Sequence, residues 1–139
     1  MSQQTPGSES SREAPRILVA EDSPTMREVA RGLLEHAGFA VDLAADGSAA
    51  VTRATERRYD LILMDINMPR VNGIEAAALI RAAGVSAAAT PILAMTAEKG
   101  PDRLEDILEA GMNGYLPKPF GRVQLLEAIA PWIRAAEAA

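Results

Sequence analysis

The 139-residue chain has no cysteine and a single histidine, His36. The first absence excludes disulfides, thiolate metal sites and a cysteine nucleophile. The second excludes multi-histidine metal centres, and His36 has no neighbours that would make it a phosphohistidine. No apolar run approaches the roughly 20 residues of a membrane span, and the N-terminus carries no apolar signal segment. Positive charge is in deficit, with 14 Lys and Arg against 19 Asp and Glu and a formal net charge of −5. The basic face that general nucleic-acid binding needs is therefore missing. What remains is a chain 48% hydrophobic and 24% charged, long enough for one domain with a real core. A cytoplasmic location is the default expectation.

One stretch organises the rest: Leu61-Ile62-Leu63-Met64-Asp65-Ile66-Asn67-Met68-Pro69. Four apolar residues run into an acid, and a proline follows. So short a continuous apolar run reads as a strand buried on both faces, as in a parallel sheet. Open α/β sheets place ligand sites at the carboxyl ends of their strands. Asp65 is thus expected at the mouth of a crevice, wet enough to ionise and sheltered enough to react.

Met1–Pro15 is almost devoid of apolar residues and reads as a disordered tail, because it cannot bury enough surface to offset its ordering entropy. Arg16–Ala20 is a first buried strand. Ser23-Pro24 starts a helix, with serine as cap and proline at the first helical position. Met26, Val29, Leu33 and Leu34 are expected on its inner face, with Gly38 as terminator. Phe39–Ala44 reads as a second strand and Gly47–Arg58 as a peripheral helix. After the central strand come a helix over Ile74–Arg81, a loop over Gly84–Thr90 and a fourth strand over Pro91–Met95. Pro101–Ala110 reads as a helix with Leu104, Ile107 and Leu108 on one face. Gly114–Pro117 is a short fifth strand whose proline suits an edge or a strand end. The last helix is expected over Arg122–Ala136, with Val123, Leu126, Ile129 and Ile133 inward and a kink or break at Pro131. Strand and helix alternate five times, which implies a doubly wound parallel sheet with right-handed crossovers and helices on both faces.

The strand ends then converge. The first strand delivers Glu21 and Asp22, the third Asp65, the fourth Thr96 and the fifth Lys118. Three carboxylates in one place repel each other, and a cation relieves that cost. Mg²⁺, a hard ion that needs few carboxylates and keeps several waters, suits the set. A carboxylate beside Mg²⁺, a lysine and a hydroxyl can accept a phosphoryl group as nucleophile. Metal, lysine and hydroxyl then stabilise the charge on the equatorial oxygens.

The pair Glu21-Asp22, the segment Met64-Asp65-x-x-Met68-Pro69-x-x-x-Gly73, Thr96-Ala97 and Lys118-Pro119-Phe120 occur in this order. In this the chain resembles the receiver domain of two-component response regulators over roughly Arg16–Arg134. The resemblance implies a (βα)5 flavodoxin-like fold with strand order 2-1-3-4-5, an order that general fold rules illustrate with a protein of this same family. It implies a tail over residues 1–15, a receiver domain over 16–136 and no output domain. It further implies phosphorylation on Asp65, and Mg²⁺ held by Asp22, Asp65 and the Asn67 carbonyl, with Glu21 acting largely through water. Lys118 and Thr96 would contact the phosphoryl group, and Lys118-Pro119 would be a cis peptide. Ala97 would leave room for the phosphoryl group, and Tyr115 would be the aromatic switch partner of Thr96. The donor would be a histidine kinase or histidine phosphotransfer protein, docking near Thr25–Arg31. The output would be contact of the helix-4, strand-5, helix-5 face with a downstream protein, as a monomer or a phosphorylation-dependent dimer.

Other readings compete. A Mg-dependent phosphohydrolase of haloacid-dehalogenase type also uses an aspartate nucleophile, but it needs an acid two residues on, where this chain has Asn67. A receiver-like module could bind partners without ever carrying phosphate. A flavin-binding flavodoxin relative would hold a phosphate after the first strand, where Glu21 and Asp22 would repel it. Residue by residue, His36 reads as a surface group favoured by the helix dipole. Trp132, Met64, Met68 and Met95 read as packing, and Glu98 as either a solvated acid or a modulator of hydrolysis.

Overall fold

The computed structural model describes residues 14–86, 88–97 and 101–133. Residues 1–13 of the expected tail, Glu98 and the chain beyond Ile133 lie outside these residues, while Pro15, also expected in the tail, accepts the Ala40 amide at 2.9 Å. Ten elements alternate: β1 (Arg16–Ala20), α1 (Pro24–His36), β2 (Ala40–Ala44), α2 (Gly47–Glu56), β3 (Leu61–Asp65), α3 (Gly73–Ala82), β4 (Ile92–Thr96), α4 (Pro101–Glu109), β5 (Gly114–Pro117) and α5 (Arg122–Ile129). The strands form one sheet in the order β2-β1-β3-β4-β5, and every pairing is parallel. This is the flavodoxin-like order expected from the sequence.

Alternation along the strands divides the core in two. Leu18, Ala20, Ile62, Met64, Ile92 and Ala94 point to one face, where Ala50, Ala54, Ala76, Ala77, Ile80 and Ile107 of α2, α3 and α4 cover them. Ile17, Val19, Leu61, Leu63, Leu93, Met95 and Leu116 point to the other, beneath Ala30 and Leu34 of α1 and Leu125 and Ile129 of α5. All five residues of β3 are buried, as a strand covered on both faces requires. The alanines of α2 and α3 are the reason its helices show little apolar stripe. Small side chains let these two helices sit close to the sheet, and α2 is less peripheral than its pattern suggested.

Helix starts follow local chemistry. The Ser23 hydroxyl accepts the Met26 amide at 3.2 Å, and Asp46 accepts the Ala49 amide at 2.8 Å. Asn72 and Glu75 form a reciprocal capping box, satisfying two of the orphan donors of a helix N-terminus. At the opposite edge of the sheet, Arg81 ties several elements together. Its guanidinium and Nε donate to the carbonyls of Gly111, Val85 and Thr90 and to Asn113 Oδ1, each at 3.0 Å. Asn113 Oδ1 also accepts the Ile92 amide at 2.9 Å. Asp42 accepts the Tyr59 hydroxyl at 2.6 Å and pairs with Arg16 at 3.0 Å. Burial and this bond to a carboxylate push the Tyr59 phenol up to about 12.

The helix stripes differ from expectation in phase. In α1 the buried residues are Ala30 and Leu34, while Val29 is 44% exposed. In α5 the buried residues are Leu125 and Ile129, with Ile133 buried just beyond the helix, and Val123 is 57% exposed. Val123 lies two positions, about 200°, from Leu125, so both cannot face the sheet. The same argument exposes Leu108 beside buried Ile107 in α4. The helix over Arg122 ends at Ile129, short of the expected Ala136, so of the two outcomes expected at Pro131 it is the break that occurs, with the proline just past the helix. Trp132, expected as packing, is 41% exposed. The methionines at 64, 68 and 95 are buried as expected.

This arrangement separates core from surface leucines. Leu63→Ala, fully buried in β3, is expected to lower unfolding free energy by about 2–5 kcal/mol. Leu79→Ala, 49% exposed on α3, is expected to change it by less than about 0.5–1 kcal/mol. Urea titration by circular dichroism measures both.

Candidate functional site

The two central strands meet the edge of the sheet side by side. Ala20 of β1 is in register with Met64 of β3, so Glu21 and Asp22 lie next to Asp65. Asp65 is in register with Met95, which places Thr96 one residue further on. Thr96 is in register with Pro117, and the Thr96 carbonyl accepts the Lys118 amide at 2.8 Å. Neighbouring strand ends thereby deliver an acid pair, an acid, a hydroxyl and a lysine to one edge. The Lys118-Pro119 peptide is cis.

Lys118 Nζ lies 2.8 Å from Glu21 Oε1 and 3.4 Å from Asp65 Oδ2. One ammonium is thus shared between β1, β3 and β5. Asp65 Oδ1 accepts the Asn67 amide at 3.0 Å, and Glu21 Oε2 accepts the Ser23 amide at 3.0 Å. Glu21 and Asp65 are each 2% exposed, so the nucleophile candidate is more sheltered than its position at a strand end suggested. Asp22 is exposed, and its carboxylate makes no hydrogen bond or ion pair among the described residues.

The titration of these groups diverges. Burial raises Glu21, but Lys118 and the Ser23 amide outweigh it, and its carboxyl is held below the ordinary value. Burial also dominates at Asp65; the Asn67 amide and Lys118 oppose it, the Glu21 charge adds to it, and the group is pushed up to about 6. Burial lowers Lys118, yet Glu21 and Asp65 more than compensate and raise it. One positive charge therefore serves two buried carboxylates, and Asp65 carries the deficit.

A divalent cation would fill that deficit. One oxygen from each of Glu21, Asp22 and Asp65 lies within 4.8 Å of the other two. Despite its ion pair, the buried Glu21 Oε1 lacks a well-angled hydrogen bond, so it retains lone-pair capacity. All-oxygen donors with one exposed member suit a hard, partly hydrated ion such as Mg²⁺.

The geometry also shows roles that motif reading did not assign. Gly73 packs against the strand end itself. A Cβ there would lie 2.3 Å from the Asp65 carbonyl oxygen and 2.7 Å from Ile66 Cα, so only glycine fits. The sequence marks Gly73 as the last residue of the motif that begins at Met64 but gives no sign of this approach. Arg27 donates to the backbone carbonyls of Glu21 at 2.8 Å and Asp22 at 3.3 Å. Its signal in the sequence is an arginine one turn after the capping Ser23. The Asn67 side chain is exposed. Tyr115 lies on edge strand β5, in register with Ala94, and is 46% exposed, away from the acid cluster.

Residues 17–130 match the response regulator receiver domain family, and the chain belongs to it. The receiver domain of sensor histidine kinase PA1611 from Pseudomonas aeruginosa, solved with a magnesium ion coordinated in its active-site cleft, is 41% identical. It superposes with a TM-score of 0.78 over 85% of this chain and 96% of its own. The chemotaxis protein CheY4 of Vibrio cholerae gives a TM-score of 0.81 at 33% identity, over 86% of this chain and 98% of its own. The CAI-1 autoinducer sensor kinase/phosphatase CqsS of Vibrio cholerae is 38% identical over 123 residues, which are 88% of this chain. The chain spans only 18% of that kinase's length. Among the described residues no helix is long and apolar enough to cross a membrane.

The raised Asp65 carboxyl makes stability pH-dependent. A group whose folded pKa exceeds its unfolded value contributes stability below the unfolded pKa and loses it as pH rises through the folded one. For Asp65 that window runs from 3.8 to about 6. Asp65→Asn, which removes the buried charge, is expected to be more stable than wild type at pH 8 without divalent ions, by about 1–3 kcal/mol. The difference is expected to vanish near pH 4. Urea midpoints in EDTA across this range measure it, and equal midpoints at pH 8 would contradict the assigned burial cost.

Proposed function

We propose that this domain accepts a phosphoryl group on Asp65 and signals through the changed charge at the sheet edge. The single observation that carries the reading is the Lys118 ammonium shared between Glu21 and Asp65, beside an Asp22 carboxylate that has no partner among the described residues. Site and family together support it.

In this reading Asp65 Oδ2 attacks the phosphorus of the donor. A new O–P bond forms, and the P–N bond of a phosphohistidine breaks. The imidazole leaves with a proton from solvent, and Asp65 becomes an acyl phosphate. At pH 7.5 the carboxyl is ionised and available as nucleophile, because its pKa lies near 6. The Asn67 amide fixes Oδ1, which leaves Oδ2 on the Lys118 side to react. Glu21, Asp22, Asp65 and the Asn67 carbonyl would hold Mg²⁺, whose bound charge would neutralise the phosphoryl oxygens. Lys118 and the Thr96 hydroxyl would take the remaining oxygens, with Ala97 too small to obstruct them. Water later cleaves the acyl phosphate to inorganic phosphate, so the domain needs no other catalytic activity.

A histidine kinase or histidine phosphotransfer protein is the donor that this chemistry fits. A downstream protein is the output, because exposed apolar residues Leu108, Tyr115, Val123 and Trp132 lie on or beside α4, β5 and α5. Thr96 and Tyr115 would link that face to the phosphoryl group, shifting a population between two states. The domain would act in the cytoplasm, where such donors have their phosphoryl source.

Incubation with acetyl phosphate and Mg²⁺ is expected to add one phosphoryl mass to the wild type, read by intact-protein mass spectrometry. Asp65→Asn is expected to gain none, and EDTA to abolish the gain. Lys118→Ala is expected to slow the gain by roughly 10²-fold or more, given what removing one charge-stabilising donor costs. A wild type that stays unmodified with acetyl phosphate and with a panel of histidine kinases would overturn the reading.

A further inference from the structure

We infer that Arg27 is a positioning residue for the cation site, acting through the backbone of the acid pair. The inference rests on the cation reading above and goes beyond it. The β1–α1 loop is pinned residue by residue. The Glu21 amide donates to the Ala44 carbonyl at 3.0 Å. The Glu21 carboxylate is fixed by the Ser23 amide and by Lys118. Asp22 has no such ties: it is exposed, and its carboxylate makes no hydrogen bond or ion pair among the described residues. The point from which that carboxylate projects is therefore set by its backbone alone. The side chain that grips this backbone is Arg27, whose Nη1 bridges the carbonyls of Glu21 and Asp22 at 2.8 and 3.3 Å.

The pairing is unusual in kind. An arginine on the first turns of a helix, beside three carboxylates, would gain most from a bidentate ion pair. Arg27 instead donates through Nη1 to two neutral carbonyls and pairs with none of the three acids. The half-buried guanidinium is itself held by its position four residues after Ser23, whose carbonyl accepts the Arg27 amide at 2.9 Å. Capping serine, guanidinium and acid pair thus form one rigid unit. Outer residues of this kind orient metal ligands, and their loss typically weakens metal affinity by about 10–100-fold.

Two effects of removing Arg27 have opposite signs, which makes the idea testable. Loss of a nearby positive charge would, alone, tighten Mg²⁺ binding. Loss of the carbonyl clamp would loosen it. The positioning role requires the second to win.

The experiment is a Mg²⁺ titration of full-length wild type, Arg27→Ala, Arg27→Gln and Arg27→Lys, followed by amide chemical shifts, with Asp65→Asn as a control that lacks one ligand. Thermal midpoints in EDTA report folding of each metal-free variant. The expected result is a Mg²⁺ Kd raised roughly tenfold or more in the Ala and Gln variants and partly recovered in Lys, which can reach one carbonyl. Metal-free midpoints are expected to stay close to wild type. Unchanged or tighter binding in folded Ala or Gln variants overturns the inference while leaving the cation site standing. Should Ala unfold, the Gln and Lys variants decide by the same criterion. A wild type that gives no Mg²⁺-dependent shifts overturns the cation reading, and this inference falls with it.

Discussion

One ammonium between two buried carboxylates is the constraint on which the rest of the structure depends. Glu21 and Asp65 sit at the ends of adjacent strands with almost no solvent contact, and burying a charge without a partner is costly. Lys118 supplies a single compensating charge to both. For it to do so, β1, β3 and β5 must end at the same level. β5 lies at the edge of the sheet, two strands from β3, so only a long side chain can span the gap. The amide of Lys118 is also fastened to the Thr96 carbonyl of the intervening strand. The site is therefore a statement about register: a slip of one residue in any of these strands would turn its side chains to the opposite face and dissolve the cluster.

Topology makes that convergence inexpensive. In an all-parallel sheet every carboxyl end lies on one edge, and helices can cover both faces without closing that edge. The strand order reverses direction at β1 and β3, where crossovers lead away to opposite sides. That division leaves a crevice between the β1–α1 and β3–α3 connections. Gly73 lets α3 begin hard against the Asp65 backbone. Ser23 lets α1 begin directly after the acid pair. These two close approaches fix the backbone beside the acids, whereas the far edge of the sheet is tied down separately by Arg81 and by Asp42 with Tyr59.

Much of this was legible in the sequence because it depends on short-range patterns. Apolar runs ending in acids, a capping serine before proline and glycine terminators fix strands and helix starts locally. The alternation of five strands with helices then leaves few topologies. Glu21, Asp22, Asp65, Thr96 and Lys118 follow as strand-end residues, and the structure brings them to one edge. The helix faces were less legible. Val29, Leu108 and Val123 are apolar and fit a broad helical stripe, but alanines at 30, 50, 54, 76 and 77 take the buried positions. A small side chain carries little weight in a hydrophobic pattern, yet it is what close helix–sheet approach selects. Arg27 and Arg81 were illegible for another reason. Apart from Asn113 Oδ1 on Arg81, their partners are backbone carbonyls, which every residue possesses, so residue type marks little of the other half of the contacts.

The position of Asp65 sets stability against reactivity. Every other residue of β3 is apolar and fully buried. An apolar residue at position 65 would extend that core and remove the charge cost, so on folding grounds alone the acid is the poorer choice. Its carboxyl pKa is raised by burial and by the Glu21 charge, and the two buried carboxylates hold one negative charge more than Lys118 can balance. Such a deficit attracts any positive charge that fits, and it makes Lys118 sensitive to whatever is added to Asp65, 3.4 Å away. Added negative charge on Asp65 would draw the ammonium from Glu21 toward it. Lys118 directly follows β5, whose Tyr115 is exposed on the surface. The electrostatic imbalance that weakens the fold at its centre therefore also connects the centre to the outer face of the sheet. Local rules of stability are broken here because a balanced site would have nothing to respond with.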